Sequence, residues 1–163
     1  MVLNYYGYDI DKTTLATTYL DLDTTYTSNP YVQFIGTPFS SNSYGCYSPV
    51  IVDCASSYGV NAINISYCSY SDLLNFVAAG YPVIVWATMG MSSTIYGSSS
   101  WTDSYGNEVI WRGNEHCMVL VGFDVSEDIA YLADPLTGTI KSYSLKTFLE
   151  KWVEQDSQAV LVY

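Results

Sequence analysis

The chain has 163 residues, 49% of them apolar and 13% charged, and a formal net charge of −11 from sixteen acidic and five basic side chains. These values fit one domain of roughly 100–200 residues with a sizeable core, and they argue against disorder. The acidic balance excludes nucleic-acid binding by phosphate neutralisation and makes anionic membranes poor partners, and no apolar run approaches the ~20 residues that insertion across a bilayer needs.

In chain order, Met1 to Gly7 reads as the last turns of an amphipathic helix, with Gly7 placed for a left-handed C-terminal cap. Asp11 opens a second helical stretch carrying Leu15, Ala16 and Tyr19 at helical spacing. From Asp21 to Tyr47 the chain is rich in Thr, Ser, Asn, Gly and Pro, which predicts a long surface loop. Pro49 to Tyr58 reads as a helix with Val50, Ile51, Cys54 and Ala55 on one face and Gly59 as its stop. Ala62 to Ile65 predicts a short strand. Ser71 stands as the N-cap of a helix that runs to Ala79, with Asp72 at its positive end and Gly80 after it.

Pro82 to Trp86 is a β-branched run and predicts a buried strand. Residues 89–100 form a Ser- and Gly-rich loop, and Tyr105-Gly106-Asn107 is a hairpin turn between two short strands. The last third predicts strands over Cys117–Phe123, Ile129–Ala133 and Thr139–Tyr143, a helix capped by Ser144 and running through Trp152, and a closing strand from Ala159. Early helices followed by consecutive hairpin strands define an α+β domain with an antiparallel sheet.

His116 is the only histidine and stands at the start of an apolar strand; Asp134 ends the next one. Antiparallel pairing brings the two within hydrogen-bonding reach, where the carboxylate would fix the imidazole tautomer and stabilise the imidazolium. The alternative is a plain Asp-Pro turn in which Asp134 bonds its own backbone. Such a pair needs a nucleophile. Cys117 points to the opposite face of its strand and reads as a core thiol, Cys54 lies on an apolar helical face, and Cys68 lacks an activating charge. Cys46, just before a helix, is the best of the four. With no Cys-x-x-Cys pair and one histidine, neither a zinc site nor another cofactor is expected, and free thiols are favoured over disulfides.

Met1-Val-Leu-Asn-Tyr-Tyr-Gly7, Gly80-Tyr-Pro-Val-Ile-Val-Trp86, Glu115-His-Cys-Met-Val-Leu-Val-Gly122 and Asp134-Pro-Leu-Thr-Gly138, with the closing helix and strand, together resemble the cysteine peptidases related to bacteriocin-processing, double-glycine leader peptidases, within the papain-like superfamily. The resemblance runs along nearly the whole chain. It implies a papain-like fold with N-terminal helices packed on a C-terminal antiparallel sheet, peptide bond hydrolysis by a Cys-His-Asp triad, and His116 and Asp134 as catalytic base and orienter. In that family the nucleophile lies in a Cys-Gly-Pro motif about two helical turns before the Asn-Tyr-Tyr-Gly ending. Those turns, and the oxyanion-hole glutamine before them, would precede Met1. The Gly-Cys-Tyr run around Cys46 matches a structural feature of relatives, which lowers Cys46 as a substitute.

The expectation is therefore a single peptidase-like domain over residues 1–163, truncated at its N-terminus and inactive as given. Its partner would be a peptide or protein, with Trp86, Trp101, Trp111 and the 89–100 loop as candidate groove walls. Those aromatics are more often core than platform. Homodimerisation through the truncated face and an extracellular or cell-surface location of the full-length protein are further expectations. A non-catalytic peptide-binding module and an acidic surface-interaction domain are the alternatives.

Overall fold

A computed structural model of the chain describes all residues from 1 to 163. Its elements are α1 (Val2–Tyr5), α2 (Lys12–Thr18), β1 (Leu22–Asp23), β2 (Phe34–Ile35), α3 (Ser48–Tyr58), β3 (Ala62–Asn64), α4 (Tyr70–Ala78), β4 (Val83–Thr88), β5 (Ser99–Thr102), β6 (Glu108–Trp111), β7 (Glu115–Asp124), β8 (Ile129–Asp134), β9 (Thr139–Ser144), α5 (Leu145–Glu154) and β10 (Ala159–Val162). Six strands form one sheet in the order β3-β10-β4-β7-β8-β9, with every neighbour antiparallel. The α+β class read from the sequence is the class observed.

The sheet has two covered faces because alternate side chains of its central strands are apolar in both directions. On one face Val83, Val85, Ala87, Met118, Leu120, Ala130 and Leu132 pack against Leu73 and Val77 of α4 and Leu145, Phe148 and Trp152 of α5. On the other, Trp86, Val119, Val160 and Val162 pack with Val2 of α1, and Ile51 and Val52 of α3 border them. Trp86 is sealed there, its indole Nε1 donating to the Cys46 carbonyl at 3.0 Å. Each large side chain buried this way contributes about 1.5–3 kcal/mol.

The local signals act as their chemistry requires. Gly7 takes a φ of +84°, and the bonds Tyr8 N–H to Leu3 C=O and Gly7 N–H to Asn4 C=O close α1 in a Schellman motif. Asp11 caps α2 by accepting from the N–H groups of Thr13 and Thr14. Two readings need correction. Ser69, not Ser71, caps α4, because its hydroxyl accepts from Asp72 N–H and donates back to the Asp72 carboxylate. The 21–47 stretch is not purely surface loop. Its β1 and β2 pair in parallel, Ile35 is fully buried, and the Asp23 carboxylate gathers the N–H groups of Thr25, Thr27 and Ser28. Polar composition hid this because side chain to backbone bonds, not apolar periodicity, order the segment.

Candidate active site

β7 and β8 place His116 and Asp134 together. His116 is the second residue of β7 and Asp134 the last of β8. Both are buried, and His116 Nε2 lies 2.9 Å from Asp134 Oδ1. Nδ1 of the ring has no hydrogen bond in the chain and is not among the sealed unpartnered atoms, so it is left open to solvent. A hydrogen-bonded Nε2 with a free Nδ1 is the disposition in which one nitrogen is oriented and the other can exchange a proton.

Asp134 is fixed from three sides. Oδ1 also accepts from Leu136 N–H at 2.9 Å, and Oδ2 meets Lys141 Nζ of β9 at 2.7 Å. Burial pushes the carboxyl pKa up, but the bonds from Lys141, His116 and Leu136 outweigh it and hold the group well below the usual carboxylate range. The ionised Asp134 thus keeps the imidazole aligned. Lys141 was missed from the sequence; its signal was the tight Asp134–Thr139 turn, which sets Lys141 across from Leu132 on the face that carries Asp134.

The four thiols are all free. Cys46 is buried, and burial first, then neighbouring Cys117 and Glu115, pushes its thiol well up. Burial likewise raises Cys54, Cys68 and Cys117. A nucleophilic cysteine needs the opposite shift. Cys117 is half-buried instead of fully enclosed, and it projects from the face opposite His116, beside Trp86.

On that opposite face lies an apolar groove of about 620 Å³ between α1, α2, α3 and the sheet, lined by Val2, Leu3, Leu15, Ile51, Cys54, Ile84, Cys117, Val119 and Val162. Pro135 also lines it, so the residues that follow His116 and Asp134 in sequence both border the groove. The tryptophans are distributed otherwise than a platform would need. Trp86 and Trp111 are core, while Trp101 is half-buried with its Nε1 donating to Ser28 C=O at 2.7 Å. The 89–100 loop is tied to the start of β7 by Asn114, which accepts from Ile95 N–H and donates to Ser93 C=O.

Glu115, the residue before His116, was also missed from the sequence. Its Oε2 is sealed without any partner, and burial raises the carboxyl pKa to about 8. Nothing in its spacing announces this. No group of three or more His, Cys, Asp and Glu side chains is arranged to hold a metal ion.

Helices packed on a six-stranded antiparallel sheet give this α+β domain the fold of a C39-like peptidase. The sequence matches the Peptidase_C39 like family over residues 1–160, and the chain belongs to that family. It is similar to the uncharacterized protein YvpB of Bacillus subtilis (strain 168), at 29% identity over 167 residues and 99% of this chain. The match takes in 65% of YvpB, so the chain spans a little under two-thirds of the length of that curated relative. Its fold matches the crystal structure of a candidate C39-like peptidase from Bacillus anthracis with a TM-score of 0.83 and 26% identity, over 99% of this chain and 84% of that one.

Proposed function

We propose that this is a papain-like cysteine peptidase domain in which His116 is the general base and acid and Asp134 its orienter, and that none of the four cysteines present is the nucleophile. The observation that carries this is the 2.9 Å His116–Asp134 contact with Nδ1 left open, in a chain whose thiols are all held protonated by burial. A base and an orienter without a thiolate activate nothing, so the chain as given hydrolyses no peptide bond by this route. On this reading the nucleophile would lie on helical turns leading into α1. There a helix N-terminus and the imidazolium would together favour the thiolate.

The test is a fluorogenic peptide assay on this chain and on a version extended by its native upstream residues. The expected result is no turnover by the chain alone and turnover by the extended protein that His116→Ala abolishes. Turnover by residues 1–163 that survives His116→Ala would overturn the assignment. The absence of any activated thiol favours one second reading, a module that binds extended peptides without cleaving them. That reading prevails if the upstream residues carry no cysteine and peptides bind intact.

A further inference from the structure

Five lysines and arginines serve sixteen acidic side chains, and three of the five are paired. Arg112 meets Asp156 and Lys151 meets Glu154, carboxylates whose side chains are 34% and 33% exposed. Lys141 alone is spent on a buried one, because the Asp134 side chain is 4% exposed. The register does not hand it this partner. Thr139 faces Asp134 directly and Lys141 faces Leu132, so the lysine must cross the diagonal to bring Nζ within 2.7 Å of Oδ2.

The two carboxylate oxygens therefore do different work. Oδ1 takes the contact with His116 Nε2 and the bond from Leu136 N–H, while Oδ2 is held by a full positive charge. A bare carboxylate beside an imidazole favours the imidazolium. With Lys141 in place the Asp–Lys pair is neutral overall, so the ring keeps its orienting hydrogen bond and feels only part of the carboxylate's field. The other titratable groups near this cluster are few. Tyr143 lies two residues along β9 from Lys141 and acts on it. Glu115 precedes His116 but projects to the opposite face of the sheet, and burial raises its carboxyl to about 8. β4 sets Ala87 opposite His116, and α4 and α5 cover this face of the sheet with Leu73, Val77, Phe148 and Trp152.

We propose that Lys141 is a positioning residue that sets the basicity of His116 through Asp134, making that carboxylate act on the imidazole as a nearly neutral orienter. The purpose of this tuning rests on the peptidase reading above; the electrostatic relationship itself stands on the geometry of three side chains. A general base must take a proton and give it up near its working pH. An imidazole held as imidazolium by an uncompensated carboxylate has no lone pair to offer. Taking away the Lys141 charge leaves Asp134 uncompensated, stabilises the imidazolium, and moves the titration of His116 to higher pH. Putting back a cation at position 141 returns it.

The experiment is an NMR pH titration of the chain as it stands, read from the ring protons of its single histidine. Wild type is compared with Lys141→Met, Lys141→Gln and Lys141→Arg. Met and Gln should raise the titration midpoint by about 0.5–1 pH unit, a modest figure because the Lys141 side chain is 39% exposed, and Arg should leave it where wild type has it. In an Asp134→Asn background Lys141→Met should move the midpoint far less, since the cation has lost the carboxylate that holds it. A midpoint that Met and Gln leave unmoved, or lower, overturns the proposal. An equal rise in the Asp134→Asn background also overturns it, because the lysine would then act on the ring directly. Should Lys141→Met fail to fold, Lys141→Gln, which removes the charge and keeps a donor, decides the matter. None of these readouts needs turnover, so an extended protein that cleaves nothing would sink the peptidase reading and leave this result standing.

Discussion

Asp134 reaches His116 on the diagonal. Val119 pairs with Ala133 across β7 and β8, which sets Asp134 level with Met118 and leaves His116 two residues further along the same face. Lys141 sits on the opposite diagonal, because its direct partner on β8 is Leu132. The carboxylate is therefore braced between two strands, and it cannot turn toward one neighbour without losing the other.

Replacing Asp134 with Asn should remove the charge and keep the Leu136 N–H bond. The expected loss of stability near pH 7 is about 2 kcal/mol, since hydrogen bonds to charged groups are the stronger kind. The Lys141 end is 39% exposed and adds little to that figure. The folded pKa of Asp134 is depressed, so its contribution is fully present above the unfolded value of about 3.9 and is lost as pH falls below it. Urea unfolding of the two proteins at neutral and acid pH should show a gap that closes on acidification. In the extended protein the same change should cut turnover by roughly 10²–10⁴.

Glu115 gives the opposite slope. Its folded pKa is raised, so the folded state holds a proton that the unfolded chain releases above its ordinary value of about 4.3, and stability falls as pH climbs from there to about 8. Glu115→Gln, free of this penalty, should be more stable than wild type by on the order of 2 kcal/mol at about pH 8, with the difference shrinking toward about pH 4. A pH-independent difference in denaturation midpoint would count against a buried neutral carboxyl.

Native thiol titration with a disulfide reagent near neutral pH should find no fast-reacting cysteine. All four should react together only after denaturation, because burial raises each of them. One rapid thiol blocked by His116→Ala would restore Cys46 or Cys68 as a nucleophile.

Arg112 and Asp156 bind the end of β6 to the turn after α5 through two parallel bonds. Their side chains are 20% and 34% exposed, so Arg112→Ala should cost only about 1 kcal/mol, with the cost fading at high salt. Faster proteolysis within residues 92–114 is the sensitive readout.

The sheet, both capped helices of the N-terminal region and the His–Asp pair were legible because each follows from local chemistry. Continuous apolar runs set β7 and β8, and a short turn between them dictated which residues meet. Lys141 was not, since its role depends on the register of a third strand. Glu115 was hidden more deeply. Its state is set by Gly45 and Trp111, about seventy and four residues away in sequence, and no periodicity reports a missing partner. Ser69 lost to Ser71 because either serine can cap, and only the reciprocal bond with Asp72 separates them.

The strand order carries one more consequence. β10, the last strand to be made, lies inside the sheet between β3 and β4. On the ribosome, β3 therefore has no strand beside it until residues 159–162 have cleared the exit tunnel. The β4–β7–β8–β9 meander is free to form earlier, carrying His116, Asp134 and Lys141 already assembled. Translation would then yield the chemical pair before the domain that encloses it, and the final threading of β10 would be the slow, nonlocal step.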